Sequence, residues 1–254
     1  MTATSVLGLV ALLLPAASPT PDSLVVDGRD ASWSAVLPAG ATLEVQSAAG
    51  VILIGPADSD RAEVTAERYG EAWEDVRFEL VTGPDGSVTI CALAEDNAWL
   101  RQYPQRAGGR PVGCAPGGEG VRLGGIGRDD REVGVSFTVR VPAGVAVRAR
   151  TADADVESSV PGAFSTSDGD VYVDLSRTER RGPLDVRTGD GDVTVRLALG
   201  VGFDVDASSR DGAVRTDLPV LRDGRRAVVG RLWGGGPTLR VRTGDGTVRL
   251  REAL

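Results

Sequence analysis

Aspartate recurs at fixed positions in five short segments of this chain, and these carboxylates are the most regular candidates for chemistry. Each segment has Thr or Ser first, Asp third and Val sixth, and four of the five have Gly fourth. The segments are Thr151–Val156, Thr166–Val171, Thr188–Val193, Ser209–Val214 and Thr243–Val248. Carboxylate oxygens are the ligands that a hard cation such as Ca²⁺ prefers, and pairs of carboxylates can hydrolyse glycosidic bonds.

Two interpretations of the repeated aspartates follow from their spacing. If the segments stack, the third-position side chains form one row, about 4.8 Å apart. Those side chains are Asp153, Asp168, Asp190, Asp211 and Asp245. A calcium ion could then bridge Asp168, Asp170, Asp190 and Asp192. The interpretation that we favour is structural, since Asp and Gly are the residues that a turn requires. The predicted turn glycines are Gly169, Gly191, Gly212 and Gly246.

Missing residue types narrow the possible activities. The chain has 254 residues and no His, and all 28 of its basic residues are Arg. Triads that use His, imidazole metal sites and catalytic lysines are therefore excluded. Carboxylate chemistry survives, but no single Asp or Glu pair is distinguished from the others. We predict a protein without catalytic residues or cofactor, with a carboxylate-dependent polysaccharide hydrolase or lyase as the alternative.

The sequence around the repeats predicts strands joined by identical corners. Apolar and polar residues alternate in Leu184–Thr188, Val193–Leu197 and Leu239–Thr243, which is typical of strands with one buried face. Gly accepts positive φ, so Asp-Gly between such runs indicates a turn. The repeats begin 15, 22, 21 and 34 residues apart. Intervals near 20 predict an all-β solenoid, a right-handed parallel β-helix in which each coil stacks on the last. A β-sandwich is the alternative.

The N-terminal residues 1–23 are predicted to be a signal peptide. Val6–Leu14 is an apolar run of signal-peptide length, too short to span a bilayer. The mature chain, residues 24–254, is predicted to be one domain with no transmembrane helix, since no later apolar run is long enough. It would carry a long loop at about 94–131 and an insertion at about 218–236. Export implies a periplasmic, cell-surface or secreted protein.

Two cysteines agree with export. Cys91 and Cys114 are the only two in the chain, and in an oxidising compartment they most simply pair. Their disulfide would close a Gly- and Pro-rich loop and contribute about 3 kcal/mol in the chain-entropy model. That loop carries aromatic and cationic side chains suited either to a binding tip or to a lid over the solenoid. They are Trp99, Arg101, Tyr103 and Arg106.

Charge limits the partners. A net charge of −8 argues against nucleic acid, which requires a basic surface. Arginines that alternate with buried aliphatics could bind an acidic polysaccharide or another cell-envelope component. We favour the simpler role of pairing with Asp and Glu across strands. These arginines are Arg148, Arg150, Arg187, Arg215, Arg240, Arg242 and Arg249.

Three segments resemble a known family. The stretch from Gly230 to Leu250, with its Gly-Gly-Gly-Pro-Thr-Leu motif, is similar to the closing motif of the putative-adhesin β-strand-repeat family. Val141–Val145 before the repeats and Val88–Cys91 resemble the same family, and the likeness covers roughly residues 25–254. The resemblance implies a β-helical, exported, non-catalytic surface protein. It supplies no ligand and no catalytic residue, and fold likeness alone is weak evidence of function.

Overall fold

The computed structural model describes residues 23–47, 49–71, 73–94, 114–116, 133–178 and 181–253. Within these ranges the regular structure is almost entirely strand, with a single 3₁₀ turn at Trp73–Asp75. The strands of the first half are β1 (Val25–Asp27), β2 (Asp30–Val36), β3 (Thr42–Gln46), β4 (Gly50–Pro56), β5 (Arg61–Gly70), β6 (Val76–Thr82), β7 (Val88–Ala94), β8 (Val133–Val141), β9 (Ala146–Arg150) and β10 (Asp155–Ser158). Those of the second half are β11 (Ala163–Ser165), β12 (Val171–Leu175), β13 (Leu184–Thr188), β14 (Val193–Leu197), β15 (Phe203–Ser209), β16 (Val214–Thr216), β17 (Leu221–Asp223), β18 (Ala227–Leu232), β19 (Thr238–Thr243) and β20 (Val248–Glu252).

These strands form two mixed sheets of ten strands each, so the prediction of an all-β fold is confirmed. Sheet A has the order β1-β2-β5-β8-β4-β10-β12-β14-β20-β16. Sheet B has the order β17-β18-β15-β19-β13-β11-β9-β3-β7-β6. The long central part of each sheet is parallel, and antiparallel strands lie towards the ends.

Parallel strands occur as matched pairs in the two sheets. A strand of sheet B leads into a strand of sheet A, and we call each such pair a rung. The seven rungs stack in the order β7/β8, β3/β4, β9/β10, β11/β12, β13/β14, β19/β20, β15/β16. The expectation that each coil stacks on the one before it is therefore wrong at two places. In particular, the last rung along the chain, β19/β20, is inserted between β13/β14 and β15/β16.

The core lies between the two sheets and follows the period-two alternation of the strands. In β13 and β14 the inward Leu and Val residues are fully buried, and they join one hydrophobic cluster with their counterparts in every other rung. Val and Leu fill most of this cluster, and Phe137 and Phe164 are its largest fully buried side chains. Because repeated aliphatics pack in uniform layers, the fold needs few aromatic residues.

The ends of the stack are covered by antiparallel strands. β5, β2 and β1 extend sheet A beyond β8, and β6 extends sheet B beyond β7. At the other end β18 pairs with β15, and β17 pairs with β18. Both β17 and β18 belong to the segment 218–236. Such additions protect the edge strands of a parallel stack from pairing with other chains.

Two predicted segments lie wholly or mostly outside the described residues. The signal peptide at 1–23 contributes only residue 23, and the loop at 94–131 contributes residue 94 and residues 114–116. Their boundaries stay predictions. Among the residues that the structure describes, no helix is long and apolar enough to cross a membrane.

Candidate functional site

The first position of each repeat places a buried hydroxyl at the corner between the sheets. Thr188 is 8% exposed, and its Oγ1 accepts a hydrogen bond from the backbone N–H of Gly191 at 3.1 Å. The same hydroxyl donates to the carbonyl oxygen of Gly169 in the neighbouring rung at 3.1 Å. Equivalent pairs of bonds recur at Thr166, Thr243 and Ser209. These hydroxyls tie one corner to the next, so the Thr or Ser of the repeat is structural.

The fourth-position glycines lie where neighbouring corners touch. A Cβ on Gly191 would be 2.0 Å from the carbonyl oxygen of Gly169, and a Cβ on Gly246 would be 2.0 Å from that of Gly191. None of Gly169, Gly191, Gly212 and Gly246 has a positive φ. The reason given for them from sequence, left-handed turn geometry, is therefore wrong. Each is Gly because the backbone of the next rung occupies the space of a side chain.

The fifth-position aspartates form a second ladder beside the hydroxyls. The carboxylate of Asp155 accepts the backbone N–H of Asp170 at 2.8 Å, and that of Asp170 accepts the N–H of Asp192 at 2.7 Å. Asp192 continues the ladder by accepting the N–H of Thr247 at 2.6 Å, and its other oxygen pairs with Arg249 at 2.6 Å. Ionised carboxylates accept such bonds strongly. The hydrogen bonds from Thr247 and Arg249 accordingly lower the pKa of Asp192.

The third-position aspartates are exposed, as are Asp155 and Asp170 of the fifth positions. The third-position residues are Asp153, Asp168, Asp190, Asp211 and Asp245. Partial burial raises the pKa of Asp153, and the neighbouring carboxyl of Asp168 raises it further. Among the described residues, no three or more Asp, Glu, Cys or His side chains are grouped so that they could hold a metal ion. Calcium at Asp168, Asp170, Asp190 and Asp192 stays a prediction.

The pKa of Asp192 is lowered and that of Asp153 is raised, so substitutions of these two corner aspartates should change the stability in opposite directions. We expect Asp192→Asn to lower the Tm at pH 7 by about 1–4 °C, because a charge-assisted bond becomes a neutral one. Since the folded-state pKa of Asp192 is depressed, this contribution is present above the unfolded pKa and is lost as the pH falls through the folded pKa.

Asp153→Asn should act in the opposite direction. A raised folded-state pKa means that ionised Asp153 costs stability, and that cost grows as the pH rises from about the ordinary value of 3.8. The variant should therefore melt slightly higher than the native protein at pH 7 and equally at pH 3. Thermal denaturation followed by circular dichroism between pH 3 and pH 7 measures both variants. Shifts of the same sign at pH 7 would contradict the assignment.

Most of the predicted outward arginines have carboxylate partners. Arg242 lies 2.6 Å from Asp206, and Arg240 lies within 3.9 Å of both Asp206 and Asp185. Arg187 pairs with Asp185 within its own strand at 3.1 Å. Arg150 and Arg249 pair with Glu44 and Asp192. Arg148 and Arg215 are exposed on sheets B and A. Cross-strand pairing, the role favoured from sequence, is thus present at most of these positions.

Cys91 and Cys114 form a disulfide with their Cα atoms 5.6 Å apart. Cys91 faces outward from sheet B yet is fully buried, as is Leu93. The segment 114–116 lies over this face, where the Ala115 carbonyl accepts a hydrogen bond from Gln46. The cross-link therefore fixes a cover on the outer face of sheet B. The predicted binding-loop residues Trp99, Arg101, Tyr103 and Arg106 lie outside the described part of the chain.

A groove crosses the outer face of sheet A at Gly55. Its volume is about 260 Å³, and Leu53, Thr138, Arg140, Glu157, Ser159, Tyr172 and Asp174 supply its walls. Gly55 pairs with Arg140 in the ladder, and a Cβ at Gly55 would be 2.8 Å from an Arg140 guanidinium nitrogen. The missing side chain therefore creates the groove. Leu53 and Tyr172, 42% and 36% exposed, place an aliphatic and an aromatic side chain in this groove.

One polar group in the groove, the carboxylate of Asp174, is fixed in orientation. Asp174 accepts a hydrogen bond from the backbone N–H of Ser176 at 2.9 Å and pairs with Arg196 at 3.5 Å. Burial raises the pKa of Asp174, but the bonds from Ser176 and the charge of Arg196 together outweigh burial and lower it. Asp174 is consequently ionised at neutral pH, which suits it to accept hydrogen bonds and not to donate a proton as a general acid.

The groove was missed from sequence. Tyr172 lies within the repeat region, but its exposure depends on the face that β12 presents. The usable signal was Gly55, a glycine at an outward position of an otherwise aliphatic strand, which indicates close approach or an open space above the sheet.

Comparison with known proteins supports the fold alone. A crystal structure of a putative cell adhesion protein from Clostridium sporogenes aligns with a TM-score of 0.57 and 11% identity, covering 87% of this chain and 99% of that one. A putative adhesin from Bacteroides fragilis aligns with a TM-score of 0.23 and 8% identity over 89% of this chain and 98% of that one. No protein-family profile and no curated protein sequence matches the chain.

Proposed function

We propose that this chain is an exported, non-catalytic, adhesin-like binding protein. Its rigid stack of rungs would present the groove at Gly55 to a polysaccharide of the cell envelope. The observation that carries this proposal is the groove itself, where an exposed aromatic ring borders the oriented carboxylate of Asp174 and the guanidinium of Arg140. Sugars have apolar faces that stack on aromatic rings and hydroxyls that bond to polar side chains. Concave sites with a few fixed polar groups are the usual form of a ligand site.

We also infer that the fold is a β-solenoid. Support comes from the strand register, in which seven rungs keep the same order in both sheets. At four corners the first-position hydroxyl bonds to a neighbouring rung, and at three corners the fifth-position carboxylate does so. A sandwich built from hairpins would not need identical corners. Membership of the putative-adhesin family is part of this proposal, as are the signal peptide at 1–23 and the single domain at 24–254.

Export is supported by the disulfide, because structural disulfides persist in oxidising compartments. A periplasmic, cell-surface or secreted location would place the groove in contact with envelope polysaccharides. The fold likeness to a protein named for cell adhesion is consistent with such a role.

The hydrolase alternative is the weaker proposal. The groove does bring two carboxyls, Glu157 and Asp174, to one site. A glycosidase needs one of its two carboxyls to remain protonated, which requires a raised pKa. The pKa of Asp174 is lowered, so Asp174 does not meet this requirement.

A glycan array with the full exported chain tests the proposed function. We expect selective binding that Gly55→Leu and Tyr172→Ala weaken by about tenfold or more. Gly55→Leu should fold, because its side chain would displace only the flexible end of Arg140. Ser165→Leu, on the outward face of sheet B, is the matched control and should bind normally.

Two array results would contradict the proposed glycan binding. Absence of glycan binding, or equal loss in the control, would contradict the proposal. A parallel assay for released reducing ends separates binding from cleavage, and cleavage that Asp174→Asn abolishes would favour the hydrolase.

A further inference from the structure

The outward side chains of sheet A form a straight row that leads from the groove to a cluster of arginines. Ladder register places Leu53 beside Glu157, Glu157 beside Tyr172, and Tyr172 beside Thr194. Thr194 is followed by Arg249, and Arg249 by Arg215 at the last strand of the sheet. Tyr172 and Arg249 are two strand spacings apart, roughly 10 Å. The row runs across the strands, along the direction of stacking.

A second row runs beside the first. It places Asp174 next to Arg196 and Arg196 next to Arg251. Three adjacent strands, β14, β20 and β16, therefore carry four arginines on one face. They are Arg196, Arg215, Arg249 and Arg251. We call these four residues the arginine cluster.

Neighbouring carboxylates neutralise this cluster only in part. Asp174, Asp192 and Asp217 contact Arg196, Arg249 and Arg251 at 3.5, 2.6 and 3.3 Å. The carboxylate of Asp217 also accepts the backbone N–H of Glu252. Arg251 and Asp217 are about half exposed, and ion pairs of that exposure are worth only about 0–1 kcal/mol, so an incoming anion can replace them. Arg215 is exposed and adds a fourth positive charge beside three negative ones.

We propose that the ligand of this face is an acidic polysaccharide whose sugars carry carboxylates, that is, a polyuronate. This rests on the proposed function, because one sugar would occupy the groove at Tyr172. The same chain would continue across Thr194 to the arginine cluster, where guanidinium groups bind its carboxylates. Arg suits this role because its planar fork matches both oxygens of a carboxylate.

The choice of an acidic ligand follows from the position of the charges. The protein as a whole is negative, with a net charge of −8, so a polyanion would be repelled from most of its surface. A local excess of arginine beside the groove would orient such a polymer along one path. A neutral glycan could accept hydrogen bonds from the arginine cluster but would gain no charge pairing there.

Isothermal titration of the full chain with oligogalacturonates and with neutral cello-oligosaccharides tests this proposal. We expect the oligogalacturonates to bind at least about tenfold more tightly at physiological ionic strength. The double variant Arg215→Gln/Arg251→Gln should weaken that binding by about tenfold or more. The matched control Arg187→Gln/Arg242→Gln removes the same charge from sheet B and should change binding by about twofold or less.

Each contrary result has a distinct meaning. Equal weakening by both double variants would overturn the proposal in favour of unspecific attraction. Cello-oligosaccharides that bind as tightly, with no effect of the arginine variants and a loss on Gly55→Leu, would overturn the acidic ligand but leave the proposed glycan-binding function standing. Binding of neither polymer overturns this proposal, and the glycan array then decides the proposed function.

Discussion

Gly191→Ala is expected to destabilise the protein by about 3 kcal/mol or more, near the upper end for overpacked sites. The added Cβ would lie 2.0 Å from the carbonyl oxygen of Gly169, which is backbone and cannot rotate away. Relief would require the two rungs to separate. That movement would break the bond from Thr188 to Gly169 and strain the parallel ladder between β12 and β14.

Thermal or urea denaturation measures the stability of Gly191→Ala and, separately, that of a control variant at a second glycine. A loss of 3 kcal/mol should lower the Tm by about 6–12 °C in a chain of this size. Gly182→Ala is the control, because among the described residues its Cβ would approach the ring of Pro161 alone, at 3.3 Å. We expect the control to stay within about 0.5 kcal/mol of the native protein. Equal stability of the two variants would show that the corners can separate without cost.

The repeat was sufficient to predict the strands and their buried faces. Val193 and Val195 alternate with polar residues, and this period of two determines which side enters the core. The Asp-Gly pattern also predicts the turns between the strands, but it does not give the reason for the glycine. Sequence alone attributes Gly191 to its own φ, whereas the structure attributes it to a contact with Gly169, a residue of another rung. Contacts between rungs join residues that are distant in sequence, so the residues around Gly191 do not predict them.

Position also explains why the groove escaped prediction. Tyr172 and Leu53 are 119 residues apart in the chain, and they line one groove because β10 pairs with both β4 and β12. The five copies that align without gaps begin at Thr151, and their spacing does not show which upstream strand adjoins them. Exposure does not separate the third-position carboxylates from Asp155 and Asp170, but the bonds of Asp192 to Thr247 and Arg249 show that the fifth position forms contacts between rungs.

Deleting residues 237–254 is expected to unfold far more than one rung. The deleted segment contains β19 and β20, which separate β13/β14 from β15/β16. Leu239, Val241, Val248 and Leu250 in these strands are all fully buried. Without them β16 loses its ladder partner and β15 keeps only β18. A stack built in chain order would instead lose its last rung and keep every other contact.

Hydrogen exchange of the truncated chain distinguishes the two arrangements. With an inserted rung, amides of residues 203–216 should exchange as in an unfolded chain, while those of 146–175 retain partial protection. Protection of 203–216 at the native level would contradict the inserted position of β19/β20.

A point variant provides the same test without truncation. Leu239→Ala should cost about 2–5 kcal/mol, as expected for a fully buried leucine. Because Leu239 lies beside Leu184 on one side and Val205 on the other, its loss should raise exchange in both β13 and β15. Val205→Ala, in the end rung, is the matched control and should leave β13 protected. Exchange that rises in β13 alone after Leu239→Ala would mean that β15 does not pack on β19.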